Sequence, residues 1–469
     1  MQDTTPPREL HGRKQLGYNL GYFGIFLVNL LIGVFTFQFY VFTVNLNPLL
    51  VAIGISLQLL IGGLFSIIFG VIIDNKKPGK FGKRRIFLFY GLPIWFITSI
   101  LIWTPPWYCP ENNSMFWPTA IYFWIVLIAN SISMTCMLVA HSSMFPEQSQ
   151  TQENRKNIAA VGSVLIIIAS ILAMLFPIII QSILGDPENV KWWEPSGKII
   201  LFFMPLISVS FVIFGTIAVI ITYFSVDESF HKELIGEEYE KRSLTETIQK
   251  MKEPGKDRKY RKFLMVGFFN QLAGKTIGLV IIPFLTYALL FKGSQFFIYM
   301  IASVCCKFAW FYFWKKIYDK NTLIKTYSLC LAVAIIGSAF ELLFLIEFLS
   351  FEVKIALFFV TYGTVLGSIY AIGLFATPLG SALIDEAAVK KEGFTKDEAV
   401  AEISGAYSGL NLFMISMGQA IAPLIVGAIL VGSNSENPAI LTLCLASSGI
   451  FYLASLLFLV SIKLKKNEM

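Results

Sequence analysis

The residue best suited to chemistry in this 469-residue chain is a lysine in an unusual place. Lys275 stands near the middle of a long apolar run, four residues after Gln271, so the two share one helix face. A charged lysine at mid-bilayer costs about 2.5–3.5 kcal/mol on insertion scales, and this one is too deep to snorkel easily. It could bind an anionic group or a carbonyl, or titrate, or pair structurally with a carboxylate or helix end. Other polar residues recur at helical spacing. Tyr18, Tyr22 and Asn29 fall within about 40° of one another on a helix, and Asn130, Met134 and His141 do the same. Further along come Thr361, Thr364 and Ser368, then Tyr407, Ser408 and Asn411. Rings flanked by amides and hydroxyls suit a polyhydroxylated or amphipathic solute, and the same groups also serve interhelical hydrogen bonding. Lys307 and Glu341, in neighbouring runs, could brace each other; a Glu341 that reached a cavity would instead be a proton site. His141 could gate, sense protons or hold a structural hydrogen bond.

This is recognition chemistry rather than bond-making. The chain has three histidines, no HExxH and no paired Cys-x-x-Cys, so neither a zinc site nor a catalytic triad has a basis. Gly267…Gly274-Lys275-Thr276 imitates a phosphate-binding loop, but its glycines are too far apart and no strand precedes it. No enzyme activity, cofactor or metal is expected. Asn112-Asn113-Ser114 is a glycosylation sequon, meaningful only on a eukaryotic secretory route.

The elements that must position these residues are membrane helices. Hydrophobic residues make up 56% of the chain and charged residues 14%, against about 25% in a soluble domain. Mean hydropathy is +0.68. Twelve apolar runs are long enough to span: 17–44, 48–73, 86–104, 117–144, 158–184, 199–226, 263–291, 295–317, 326–347, 354–384, 402–431 and 438–462. Breakers separate them, among them Asn47-Pro48, Pro105-Pro106, Gly293 and Asn437-Pro438. Thirty-one of the 37 Lys and Arg residues fall on the N-terminal side of the membrane and four opposite, which predicts that both ends are cytoplasmic. The expected organisation is a cytoplasmic tail (1–16), a six-helix half (17–226), a charged linker (227–262), a second half (263–462) and a tail (463–469). Five of six cysteines lie in apolar runs and Cys109 in a loop, so no disulfide framework is expected. The first run is too long for a signal-peptide core. The net charge of +7 is scattered over short loops, which argues against nucleic acid.

The loop between runs two and three is the most specific local signal. Gly70-Val71-Ile72-Ile73-Asp74 is followed by Asn75 to Phe81 and then Gly82-Lys83-Arg84-Arg85. This resembles the loop motif of the major facilitator superfamily. The long spacer and closing Gly-Lys-Arg-Arg are more similar to its glycoside–pentoside–hexuronide symporter branch, the melibiose-permease relatives. Phe145-Pro146-Glu147 with Arg155, a degraded second loop copy from Trp310 to Lys325, Leu383-Ile384-Asp385-Glu386, and Gly418-Gln419-Ala420 with Pro423 to Gly427 agree in position. The resemblance implies twelve helices in two halves, with helices 1, 4, 7 and 10 lining a cavity, and transport by alternating access. It also implies that Gly70 lets two helices approach closely. Asp74 with Arg84 and Arg85 would form a cytoplasmic latch closed by the Gly82 turn.

The departures bear on mechanism. Sugar–cation symporters of that branch carry acids on helices one, two and four and a lysine on helix eleven. Here those positions hold Tyr22, Gly62, Ser66, Leu138 or a neighbour, and Ser416. Either coupling to a proton or sodium ion has moved, or the protein is a facilitator. The expected protein is therefore a monomeric, multi-pass carrier of a small organic solute in the cell membrane, most simply of a sugar or glycoside. Two alternatives stand beside it: a carrier of an anionic amphiphile such as a lysolipid, and a non-transporting sensor or scaffold on the same fold.

Overall fold

The computed structural model describes residues 8–77, 79, 82–228, 243–346, 348–390 and 396–463. Among them it is helical, with no strand. Helices α1 (Gly12–Gln38), α2 (Pro48–Asn75), α3 (Ile86–Leu101), α4 (Trp117–Gln148), α5 (Gln152–Ile183) and α6 (Pro195–Ser225) precede a short, charged α7 (Leu244–Lys256). Then follow α8 (Arg258–Pro283), α9 (Ser294–Tyr318), α10 (Leu323–Phe340), α11 (Phe351–Ala388), α12 (Lys396–Ile429), and α13 (Pro438–Ala446) with α14 (Ser448–Val460).

Eleven spans among the described residues are long and apolar enough to cross a membrane, α13 and α14 together making one of them. The remaining expected span, 86–104, is helical only over the 16 residues of α3. The helix gives way before Thr104-Pro105-Pro106, where proline geometry cannot continue it. Large apolar side chains such as Ile125, Phe202 and Ile450 are left exposed, as lipid-facing residues are.

The breakers seen in the sequence work as caps. Asn47 Oδ1 accepts the Leu49 N–H (2.9 Å) ahead of Pro48 at the first turn of α2. Asn437 caps α13 in the same way, through Ala439 N–H at 2.9 Å. Asp257 caps α8 through Lys259 N–H at 2.8 Å. Such caps satisfy backbone donors that the first turn leaves unpaired.

The chain forms two compact units. Unit 1 comprises Met1–Leu46, Ile61–Ile180 and Asn189–Leu244; unit 2 comprises Asn47–Leu60, Gln181–Glu188 and Thr245–Met469. In unit 1, α1 packs along α6 through small residues: a Cβ on Gly24 would lie 2.7 Å from Gly215 Cα, and one on Gly21 would meet Thr222 Oγ1 at 2.3 Å. Such close approach is how membrane helices gain dispersion contacts without a hydrophobic drive. In unit 2, α8 packs on α12 and α14, and a Cβ on Gly418 would lie 2.3 Å from the Phe268 carbonyl oxygen.

Helices α1 and α8 end in the same device. A π-turn (Phe39–Thr43) extends α1, and another (Phe284–Ala288) extends α8. Each is followed by a residue at positive φ, Asn45 (66°) and Leu290 (53°), and each exit is held by matching backbone bonds: Leu46 N–H to the Tyr40 carbonyl at 2.8 Å and Phe291 N–H to the Leu285 carbonyl at 2.9 Å. Phe284 follows Phe39 by 245 positions, which sets the two helices in register.

Candidate functional site

In that register the two helices present matching faces that their own units leave open. On α1 the partly accessible positions include Tyr22, Phe26, Asn29, Leu30 and Gly33. Adding 245 gives Gly267, Gln271, Gly274, Lys275 and Gly278, all partly accessible on α8. The steps of four, three, one and three residues keep each set on one helical face. A Cβ on Gly33, Gly274 or Gly278 would meet nothing within 4 Å, so both stripes border open space.

The α8 stripe is polar. The Gln419 amide on α12 donates to Gln271 Oε1 at 2.8 Å, orienting both side chains and leaving the Gln271 amide as a further donor. Lys275 is half-buried one turn on. Asn411 stands beside the same helix: a Cβ on Gly267 would lie 3.5 Å from its Oδ1, and that buried oxygen has no hydrogen-bond partner among the described residues. Gln419 was visible in the sequence only as part of a motif. Its pairing with Gln271, 148 positions away, has no local signal.

The α1 stripe is aromatic. Tyr22 stacks on Phe26 (ring centroids 5.6 Å) and leans on His141 (5.8 Å). Asn29 is half-buried.

Other candidates are turned inward. The Tyr18 hydroxyl donates to the His141 carbonyl at 2.9 Å, His141 Nε2 contacts the Tyr18 carbonyl at 2.9 Å, and the rings stack at 4.2 Å. This double clamp joins α1 to α4, and both residues are buried. The Asn130 amide donates to Thr98 Oγ1 (3.1 Å) and Ser99 Oγ (2.8 Å), bracing α4 on α3. Thr364 returns its hydroxyl to the Val360 carbonyl of its own helix (2.5 Å). Among the positions that depart from the symporter pattern, Gly62 makes room for Ser131 Oγ (2.6 Å from a Cβ) and Ser66 donates to the Gly63 carbonyl (2.7 Å).

Lys307 and Glu341, expected as a possible brace, do not pair. Lys307 Nζ lies 4.4 Å from the Tyr370 ring centroid. Glu341 is wholly buried, and neither carboxylate oxygen has a hydrogen-bond partner among the described residues. The helix rise explains it: from the turn joining α9 and α10, Lys307 lies roughly 16 Å along one helix and Glu341 roughly 27 Å along the other.

The basic loop is held by an acid that its motif does not contain. The buried Glu228 carboxylate accepts the backbone N–H groups of Lys83 (2.7 Å), Arg84 (3.1 Å) and Arg85 (3.1 Å), the turn that opens α3. A carboxylate there is favoured by the helix dipole and by charge-assisted bonds. Gly82 has φ +92°, and a Cβ on it would fall 2.1 Å from Glu228 Oε2, so glycine is required. Arg85 reaches the Val226 carbonyl (3.2 Å) with its guanidinium over Tyr223, and Arg84 reaches the Ser143 carbonyl. The Asp74 side chain lies outside the described residues. Gly70 departs from expectation: a Cβ there would meet nothing within 4 Å, so no close helix approach depends on it among the described residues. Unit 2 uses a different lock at its lysine-rich end. Lys259 Nζ contacts both oxygens of buried Glu386 (2.5 and 2.8 Å), and the Tyr260 hydroxyl donates to the Tyr407 carbonyl (2.6 Å).

Among the described residues, no group of three His, Cys, Asp or Glu is placed to hold a metal. The sequence profile of a family described as MFS/sugar transport protein matches residues 17–466. Among solved structures, a D-xylose-proton symporter superposes with a TM-score of 0.64 at 16% identity, covering 97% of this chain and 99% of that one. The nucleoside transporter NupG gives 0.63 at 11% identity, with 97% and 100% covered. The xylose transporter XylE from E. coli, in an inward-open conformation, gives 0.61 at 15%, with 97% and 96% covered. At these identities the likeness is one of fold. No curated protein matches the chain.

Proposed function

We propose, from the premise that this chain belongs to the MFS/sugar transport protein family, that it carries a polyhydroxylated solute, a sugar or glycoside, by alternating access. Family membership makes it a multi-pass membrane transporter rather than an enzyme. The observation that supports the solute class is the open face of α8. Lys275 and the Gln271 amide donate, and Gln419 Oε1 accepts, on a face where Gly274 and Gly278 leave space. A sugar hydroxyl both donates and accepts, so it suits such a mixed set.

A second reading rests on the charge of Lys275. An anionic amphiphile would set its head group on the ammonium, through charge-assisted hydrogen bonds. Transport is read as facilitation, because the positions where the symporter branch carries acids hold Tyr22, Gly62, Ser66 and Leu138 or a neighbour. Glu341 is enclosed by protein and is not placed to exchange a cation with solvent.

Uptake by the purified protein in liposomes tests all three points. Labelled sugars, glycosides, organic acids and lysolipids would be offered with and without proton and sodium gradients. A sugar or glycoside that equilibrates without accumulating supports the proposal. Uptake confined to lysolipids selects the second reading, gradient-driven accumulation refutes facilitation, and no uptake of any solute refutes the transport of these classes.

A further inference from the structure

A cavity of about 710 Å³ lies in unit 2 at the lysine-rich ends of its helices, and solute transport gives it no role. Its size falls in the range of about 300–1,000 Å³ usual for small-ligand sites. Two chemistries meet in its wall. Lys325 and Lys463 supply positive charge, while Leu323, Pro378, Ala382 and Ile462 supply apolar surface. No acidic side chain lines it, and neither lysine has an ion-pair partner among the described residues. The sequence continues past Lys463 with Lys465 and Lys466.

The cavity borders the second, degraded copy of the basic loop motif. In unit 1 the corresponding turn is filled by Glu228, which takes three backbone N–H groups and offsets the local charge. The α9–α10 turn has no such acid turned into the cavity; Asp319 is exposed and outside its wall. Thr322 gives α10 no side-chain cap, so the first turn of that helix adds to the positive potential.

We propose that this cavity binds an anionic phospholipid from the membrane leaflet at the lysine-rich side. The phosphate pairs with Lys325 and Lys463, and the glycerol and upper acyl chains cover Leu323, Pro378 and Ile462. A free phosphate would leave that apolar wall uncovered. Nucleic acid would require a longer basic track than two lysines. Leu323, Pro378 and Ala382 belong to spans long and apolar enough to cross a membrane, so a leaflet lipid would reach the cavity without leaving the membrane.

The test uses the delipidated full-length chain, titrated with phosphatidylglycerol, phosphatidylcholine or inorganic phosphate and read by native mass spectrometry. The wild type retains one phosphatidylglycerol in preference to phosphatidylcholine, and inorganic phosphate does not displace it. Lys325→Ala with Lys463→Ala weakens retention roughly thirtyfold, from the usual contribution of a lysine near an anionic surface. Each single variant weakens it less, and Lys198→Ala, a lysine of unit 1, behaves as wild type. Equal retention of phosphatidylcholine, displacement by inorganic phosphate, or an equal loss in Lys198→Ala would each overturn the proposal. Lipid retention needs no solute, so its failure is separable from failure of the transport reading.

Discussion

Helices α1 and α8 end in the same π-turn, yet their open faces carry opposite chemistry. At matching positions α1 has Tyr22, Phe26, Asn29 and Leu30, where α8 has Gly267, Gln271, Gly274 and Lys275. Only the fifth position, Gly33 and Gly278, is the same. The shared backbone frame has thus been given aromatic bulk in unit 1 and a cation with small neighbours in unit 2. Gly274 and Gly278 leave space along the Lys275 face that larger side chains would fill. The lysine-rich ends differ in the same spirit: unit 1 fills its basic turn with Glu228, and unit 2 leaves a cavity.

Breaking this contrast should have its largest effect at Lys275. Lys275→Ala should lower solute uptake roughly ten- to a hundredfold, since hydrogen bonds to charged groups contribute about 1.5–3 kcal/mol. Helical content measured by circular dichroism should be unchanged. Next comes the space beside it. A Cβ on Gly278 would meet no neighbouring atom within 4 Å, so Gly278→Leu should fold while uptake falls about tenfold, as expected when a site is occluded by a few ångströms.

A smaller effect is expected at the filled turn. Glu228→Gln keeps an acceptor but loses the charge, and should lower stability by about 1–2 kcal/mol, read as a shift in thermal unfolding in detergent. Gly82→Ala should destabilise further in the same assay, because it combines positive φ with a clash on Glu228 Oε2. Neither change should alter phosphatidylglycerol retention by unit 2.

The smallest effect concerns the N-terminal segment of unit 1. Glu9 bonds Thr151 and sits 2.7 Å from His11 Nε2, and these contacts hold its carboxyl below the usual 4.5. A depressed folded-state value means that the contribution is complete above 4.5 and fades as pH falls through the lower one. Hydrogen exchange at residues 8–11 should therefore rise only under acidic conditions below about pH 4.5, and Glu9→Gln should remove that dependence.

Much of this was legible in the sequence, for stated reasons. Apolar run length gave the spans, Asn-Pro pairs marked the breaks between spans, and the loop motif gave the superfamily that the family profile bears out. The four-residue spacing of Gln271 and Lys275 placed them on one face, and both lie on the open stripe. Spacing gives relative angle but not which neighbour the face meets. Tyr18 shares a face with Tyr22 yet is buried against His141, and Asn130 is spent on Thr98 and Ser99. Lys307 and Glu341 lie on neighbouring helices but at different depths. Glu228 and Gln419 act on residues more than a hundred positions away, beyond any periodic signal. The π-turns leave no pattern that propensity could register, since Phe39–Thr43 and Phe284–Ala288 share little beyond apolar character.

The most direct test of the central claim is counterflow exchange in liposomes, comparing wild type with Lys275→Met and Leu30→Met. Both variants put the same side chain at matching positions of the two stripes. Lys275→Met should lose most sugar or glycoside exchange, by roughly tenfold or more, while Leu30→Met should stay within about twofold of wild type. Equal exchange by wild type and Lys275→Met, or an equal loss in Leu30→Met, would contradict it.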